Sequence, residues 1–148
     1  MFEVWADASV RNGNPGLGGV GIYATRNGTP VLAGRYALLV GDNRTNNEVE
    51  YEALIEAIKF LRERNNDRDD CIITVDSRLV YCQLTQGWKC NYDHLRVLRD
   101  KAKSLWQECP FNVELRWVKR WDNEIANELA QAVTEEEKLA RRGQWMKN

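Results

Sequence analysis

Histidine is almost missing from this 148-residue chain: the single His94 opens a helical segment and reads as a surface residue, not a catalytic one. Cysteine is sparse and unpatterned. Cys71, Cys82, Cys90 and Cys109 form no CxxC pair, which argues against a zinc site or a disulfide framework and for reduced thiols in a cytoplasmic setting. No apolar run approaches the ~20 residues of a membrane span. The opening MFEVWADAS lacks the basic-then-apolar order of a secretory signal. Net charge is also nearly absent, at −1, so the molecule as a whole does not attract polyanions. Internal repeats, low-complexity tracts and linkers are missing too.

What is present is an ordinary globular composition, 43% hydrophobic and 29% charged. A chain of this length suits one domain over residues 1–148, with a core of its own and a monomeric state. The charge is uneven: residues 1–75 hold 8 Lys/Arg against 11 Asp/Glu, and residues 76–148 hold 13 against 11. Basic runs at RVLRDKAK (96–103), RWVKR (116–120) and KLARR (138–142) read either as solvated helix faces or as a local surface for phosphates.

Periodicity orders the elements. FEVWADAS alternates as a strand, and the turn-rich RNGNPGLGG follows. VGIYAT and TPVLAGRYAL, separated by RNG, predict a hairpin. GDNRTNN is expected as a loop into a helix from Asn46 to Glu63. CIITVDS predicts a strand buried on both faces. LVYCQLTQGW gives a short helix and a turn, HLRVLRDKAKSLWQE a longer helix and NVELRWVK a strand. DNEIANELAQAVTEEEKLARR gives a last helix with Asp122 or Asn123 as N-cap. This order predicts an α/β fold with a mixed five-stranded sheet, three antiparallel leading strands and then parallel ones, flanked by helices.

The segment TNNEVEYEALIEAI places four acids on one helix. Glu52, Glu56, Lys59 and Glu63 form a polar stripe, and Glu48 heads a mixed row with Tyr51, Ile55 and Lys59. Glu50 is followed on its own face by Ala53, Leu54, Ala57 and Leu61, so it heads the stripe that must meet the sheet. A carboxylate there is either a helix-end acid reaching water, favoured by the N-terminal dipole, or one paired or bound to a metal. Asp76 ends the buried strand, where open α/β sheets place ligands. Asp7 lies late in the first strand, either as a turn-starting residue or as part of a site. If these two strands are neighbours, Asp7, Glu50 and Asp76 converge. Three close carboxylates repel one another unless cations neutralise them, and an oxygen-only set suits Mg²⁺ or Mn²⁺.

Four segments, in this order and spacing, carry a resemblance over residues 1–135: D-A-S-(x)4-N-P-G-(x)-G-G from Asp7, T-N-N-(x)2-E from Thr45, V-D-S at Val75–Ser77, and N-(x)3-N-E-L-A from Asn123. Together they resemble type 1 ribonuclease H, with its ribonuclease H-like fold. The resemblance implies endonucleolytic hydrolysis of the RNA strand of RNA–DNA hybrids with two divalent ions, Mg²⁺ or Mn²⁺, leaving 5′-phosphate ends. It implies metal-ligand and catalytic roles for Asp7, Glu50 and Asp76, and for Asn127 at the fourth position. It also implies substrate contacts from Asn14, Thr45, Asn46 and Asn47. The RNA preference would come from 2′-hydroxyls and hybrid shape.

The chain departs from that family at its fourth acid, which is the neutral Asn127. An amide oxygen still binds hard cations but brings no charge. At an effective dielectric near 20 the missing charge is worth roughly 4 kcal/mol before relaxation. The expectation is an active enzyme with a raised metal requirement, against the alternative of a weakened hybrid-binding protein; a DNA nuclease of the same fold is a third reading. Glu124, on the face of Asn127, is a candidate to reach a metal through water. No basic helical protrusion follows the second Asp, so grip is expected from Lys119, Arg120, Lys89 or the tail KLARRGQWMK, with Trp88, Trp117 and Trp121 available for stacking. Arg78 stands where the family often carries a neutral amide.

Overall fold

A computed structural model describes residues 1–147, with side chains through Gln144. Trp145 and Lys147 of the tail therefore lie outside the described side chains. Strands β1 (Phe2–Arg11), β2 (Gly16–Arg26) and β3 (Thr29–Arg44) precede helix α1 (Asn46–Arg64) and strand β4 (Cys71–Val75). Helices α2 (Arg78–Thr85) and α3 (Asp93–Gln107), strand β5 (Val113–Trp117), a 3-10 turn (Arg120–Asp122) and helix α4 (Glu124–Lys147) complete the chain. The sheet order is β3-β2-β1-β4-β5. β1 pairs antiparallel with β2 and parallel with β4, and β4 pairs parallel with β5. The predicted mixed sheet is therefore found, with β1 and β4 side by side as convergence of the acids required.

Two strands are longer than their sequence suggests. β2 begins at Gly16, inside the stretch read as a turn, which shrinks the turn to Asn12–Pro15. β3 runs on to Arg44 through GDNR, accommodated by register shifts between Gly16 and Gly19. β4 is buried at every position, as its branched apolar run demands. The main core lies between the sheet and α1, where Phe2, Val4 and Ala6 meet Leu54, Ile58 and Leu61. The alternate residues of β1 face α4: Ser9 meets Thr134 at 3.2 Å and Asp7 meets Asn127 at 2.7 Å.

α4 approaches this face closely because β2 offers it glycine. A Cβ on Gly21 would lie 2.2 Å from the Ala126 carbonyl oxygen and 2.6 Å from the Ala130 nitrogen. Gly21 is also the cross-strand partner of Asp7. The missing side chain thus sets the height of α4 above the strand that carries Asp7. None of the described helices is long and apolar enough to cross a membrane. All four cysteines are free thiols, and Cys71, Cys82 and Cys90 are buried.

Candidate active site

The four acids at the start of α1 have four separate fates. Glu48 completes a capping box: Thr45 Oγ1 accepts from Glu48 N at 3.3 Å, and Glu48 Oε1 accepts from Thr45 N at 3.0 Å. Glu52 pairs with Arg44 at 2.6 Å, and Glu56 faces Lys59 at 3.7 Å. Glu50 turns toward Asp7, on the interior strand β1, and Asp76, just past the carboxyl end of the interior strand β4, where one oxygen from each of the three carboxylates lies within 4.8 Å of the others.

They line a polar cleft of about 520 Å³, together with Asn46, Asn47, Ser77, Arg120 and Asn127. Asp7 is 2% exposed. Its Oδ1 accepts from Ala8 N at 2.8 Å, and its Oδ2 accepts from Asn127 Nδ2 at 2.7 Å. Asp76 is gripped at two atoms: its Oδ2 accepts from Asn123 Nδ2 at 3.4 Å and its carbonyl oxygen accepts from Trp117 Nε1 at 3.1 Å.

The electrostatics follow from crowding. Burial, then the charge of Asp76, pushes the Asp7 carboxyl up to about 7, against the opposing Asn127 and Ala8 donors. Burial and the charges of Asp7 and Asp76 hold Glu50 well above the usual carboxylate range, and Arg120 pulls it back. Burial raises Asp76 too, while its hydrogen bonds to Asn123 and Asp7 and the charge of Arg120 lower it. Because the folded-state value of Asp7 lies above its unfolded value, the native protein binds the extra proton. Stability in EDTA therefore falls as pH rises from about 4 to about 7. The expected melting temperature in EDTA is roughly 5 °C higher at pH 5.5 than at pH 7.5, as a few kcal/mol implies for this size. Adding Mn²⁺ at pH 7.5 should remove the deficit. Equal melting temperatures across these conditions would contradict the crowding.

The other expected contacts divide. Asn14 Oδ1 accepts from Asn46 N at 3.0 Å, tying the β1–β2 turn to the start of α1. These residues, with Thr45 and Asn47, share a neighbouring hollow with Tyr92 and His94, whose rings lie 5.7 Å apart. Arg120 enters the cleft, whereas Lys119 sits outside it with its ammonium 5.1 Å above the Trp121 ring. Trp121 is 65% exposed. Arg78 lies over Trp88 at 5.4 Å. Glu124 is exposed and lines an apolar hollow with Trp5, Tyr23 and Trp121, not the acids' cleft. Asn123 precedes α4, but its side chain does not cap the helix: Nδ2 donates to Ala6 O at 2.9 Å and to Asp76. Gln131, Ser9 and Arg11 also line the cleft and were not anticipated. Gln131 was legible as the residue one turn beyond Asn127 on the same helix face.

A mixed sheet of this order with carboxylates gathered at the carboxyl end of β4 defines an α/β fold with an all-oxygen site of the kind that suits hard divalent cations. Residues 6–133 match the family described as reverse transcriptase-like. The ribonuclease H of Actinobacillus pleuropneumoniae is 33% identical over 147 residues, covering 89% of each chain. The match to the uncharacterized protein YpeP of Bacillus subtilis, 34% identical over 90 residues, covers 61% of this chain but only 40% of that protein's length. Among solved structures, LC11-RNase H1 in complex with an RNA/DNA hybrid superposes with a TM-score of 0.82 at 25% identity, covering 92% of this chain and 98% of that one. The chain belongs to this ribonuclease H-like family.

Proposed function

We propose that this protein is a ribonuclease H that cuts the RNA strand of RNA–DNA hybrids endonucleolytically, leaving 5′-phosphate ends. The observation that carries the reading is the meeting of Asp7, Glu50 and Asp76 within 4.8 Å. Unneutralised, such a cluster is costly, and its all-oxygen donor set fits hard divalent cations. The relatives support it: one is named ribonuclease H, and a structural neighbour is held with an RNA/DNA hybrid.

Asp7, Glu50 and Asp76 would hold the ions, Mg²⁺ or Mn²⁺, with the Asn127 amide oxygen as a neutral fourth donor. Ions held there would supply the acidification of an attacking water and the neutralisation of charge on the leaving 3′ oxygen. Asn14, Thr45, Asn46 and Asn47 lie beside the acids at the N-terminus of α1, suited to a phosphodiester backbone and the minor-groove edge where 2′-hydroxyls are displayed. Arg120 balances the cleft's negative charge and is placed to meet substrate phosphate, with Lys119 outside the cleft over Trp121. The chain acts as a monomer in a cytoplasmic setting.

Labelled hybrid, duplex DNA and single-stranded RNA, each incubated with Mg²⁺, with Mn²⁺ and with EDTA, test the reading. Hybrid-restricted, metal-dependent cutting of the RNA strand is expected. Hybrid binding without cutting in either metal would favour the weakened, non-cleaving reading, which the neutral Asn127 motivates. Cutting of DNA in preference to the hybrid's RNA strand would replace the reading.

Asn127→Asp adds the missing charge. A third of the roughly 4 kcal/mol Coulomb term surviving relaxation lowers the metal needed for half-maximal cleavage about tenfold. The same change removes the donor to Asp7 Oδ2 and adds a fourth anion, so melting in EDTA should occur at a lower temperature. A variant that loses cleavage at all metal concentrations would refute the placement of Asn127.

A further inference from the structure

Asn123 is neither one of the acids nor a substrate contact, yet it stands where two ligand-bearing strands part. The parallel ladder between β1 and β4 runs from Phe2–Cys71 to Trp5–Thr74 and stops there. Beyond it β1 continues into Asp7, while β4 keeps its rung to β5, Val75 O accepting from Val118 N at 3.0 Å. The next β1 acceptor, Ala6 O, is taken by the Asn123 side chain at 2.9 Å. The amide thus replaces a ladder rung at the fork between Asp7 and Asp76. The same Nδ2 reaches Asp76 Oδ2 at 3.4 Å, and the Asn123 main-chain carbonyl accepts from Asn127 N at 3.1 Å. One residue therefore touches the strand of Asp7, the carboxylate of Asp76 and the helical turn of Asn127.

We infer that Asn123 is a positioning residue: by bridging the β1–β4 fork and anchoring the first turn of α4, it sets the spacing of Asp7, Asp76 and Asn127 for cation binding. The inference rests on the metal-site reading proposed above. Its own support is geometric. Asn123 is 2% exposed, and its Oδ1 is buried with no hydrogen-bond partner. An unpaired buried acceptor costs about 1–3 kcal/mol, a cost the fold tolerates to place the donor on the same amide. What an apolar side chain lacks is the donor directed at Ala6 O and Asp76. Trp117, which holds the Asp76 main chain from β5, leaves the carboxylate itself free to rotate; Asn123 restricts that rotation.

The test uses the full chain with Asn123→Ala and the similarly sized Asn123→Leu, which fills the space but cannot donate. Melting is followed in EDTA and during a Mn²⁺ titration, which reports cation binding without turnover, and hybrid cleavage is measured in parallel. Partners that orient metal ligands commonly contribute 10–100-fold to metal affinity. Both variants should need about tenfold more Mn²⁺ for the half-maximal melting shift, with kcat falling in step at limiting metal. KM for hybrid at saturating Mn²⁺ should change less than twofold. A purely structural residue would lower the melting temperature in EDTA and leave the Mn²⁺ dependence of the shift unchanged; that result overturns the inference. If Asn123→Ala does not fold, Asn123→Leu decides. A parent protein with no Mn²⁺-induced shift would overturn the metal-site reading and this inference with it, whereas a parent shift that both variants keep overturns this inference alone.

Discussion

Asp7→Asn should abolish hybrid cleavage while making the metal-free protein harder to melt. Asp7 is the most enclosed of the three acids, and its charge raises Glu50 while that of Asp76 raises it in turn. A cation bound to the cluster loses its central counter-charge in this variant. At an effective dielectric near 20 and a few ångströms, that loss is worth about 4 kcal/mol, or roughly a thousandfold in rate if it is felt fully in the transition state. The substitution is nearly isosteric, so the fold persists. It also removes a charge that burial and crowding disfavour, so melting in EDTA at pH 7.5 should move upward by a few degrees, and the Mn²⁺-induced shift should vanish. Cleavage assays beside calorimetry of the same preparations check both halves. Retention of more than a tenth of the parent activity would remove Asp7 from the centre of the chemistry.

The second large effect is expected from a residue with no side chain. Gly21→Val places a Cβ 2.2 Å from Ala126 O, 2.6 Å from Ala130 N and 2.9 Å from Leu129 Cβ. Two of these three neighbours are helix backbone, which cannot rotate aside. α4 must lift from the sheet, at the 1–3 kcal/mol or more typical of overpacked contacts. Asn127 follows Ala126 directly, so the lift breaks its 2.7 Å bond to Asp7. Denaturant unfolding should show the stability loss, and cleavage should fall by at least about tenfold, as a displacement near 1 Å implies. Gly143→Ala, in the same helix with nothing within 4 Å of its added Cβ, serves as the control and should stabilise by roughly 0.5–1 kcal/mol. Equal effects at both positions would deny close docking any part in the site.

These two residues show how differently the chain discloses itself. Asp7, Glu50 and Asp76 could be selected from the sequence because each breaks a local rule: Glu50 heads an apolar stripe, Asp76 ends a buried strand and Asp7 precedes a turn. Sheet order from strand periodicity then brought them together. Gly16 to Gly19, by contrast, read as turn because glycine density is a turn signal, and Gly21 read only as part of a strand. What Gly19 and Gly21 provide is clearance for a helix more than a hundred residues later, a tertiary demand with no local trace. GDNR read as loop for a related reason, since β-bulges admit such residues into β3 without ending it. Asn123 had the chemistry and position of an N-cap, but the open end of the β1–β4 ladder claimed its amide. Glu124 shared a helical face with Asn127 on an ideal wheel, yet at the first position of α4 it lines the hollow beside Trp121 and not the acids' cleft.

Asn127 meets Asp7 across a separation of 120 residues, and α4 follows every other described element in the chain. During synthesis a ribosome has therefore exposed β1, α1 and β4 well before the segment that closes the cleft leaves the exit tunnel. A polypeptide whose α4 has not yet emerged lacks one wall of the hollow, so the order of elements along the chain keeps the cleft open until that helix docks.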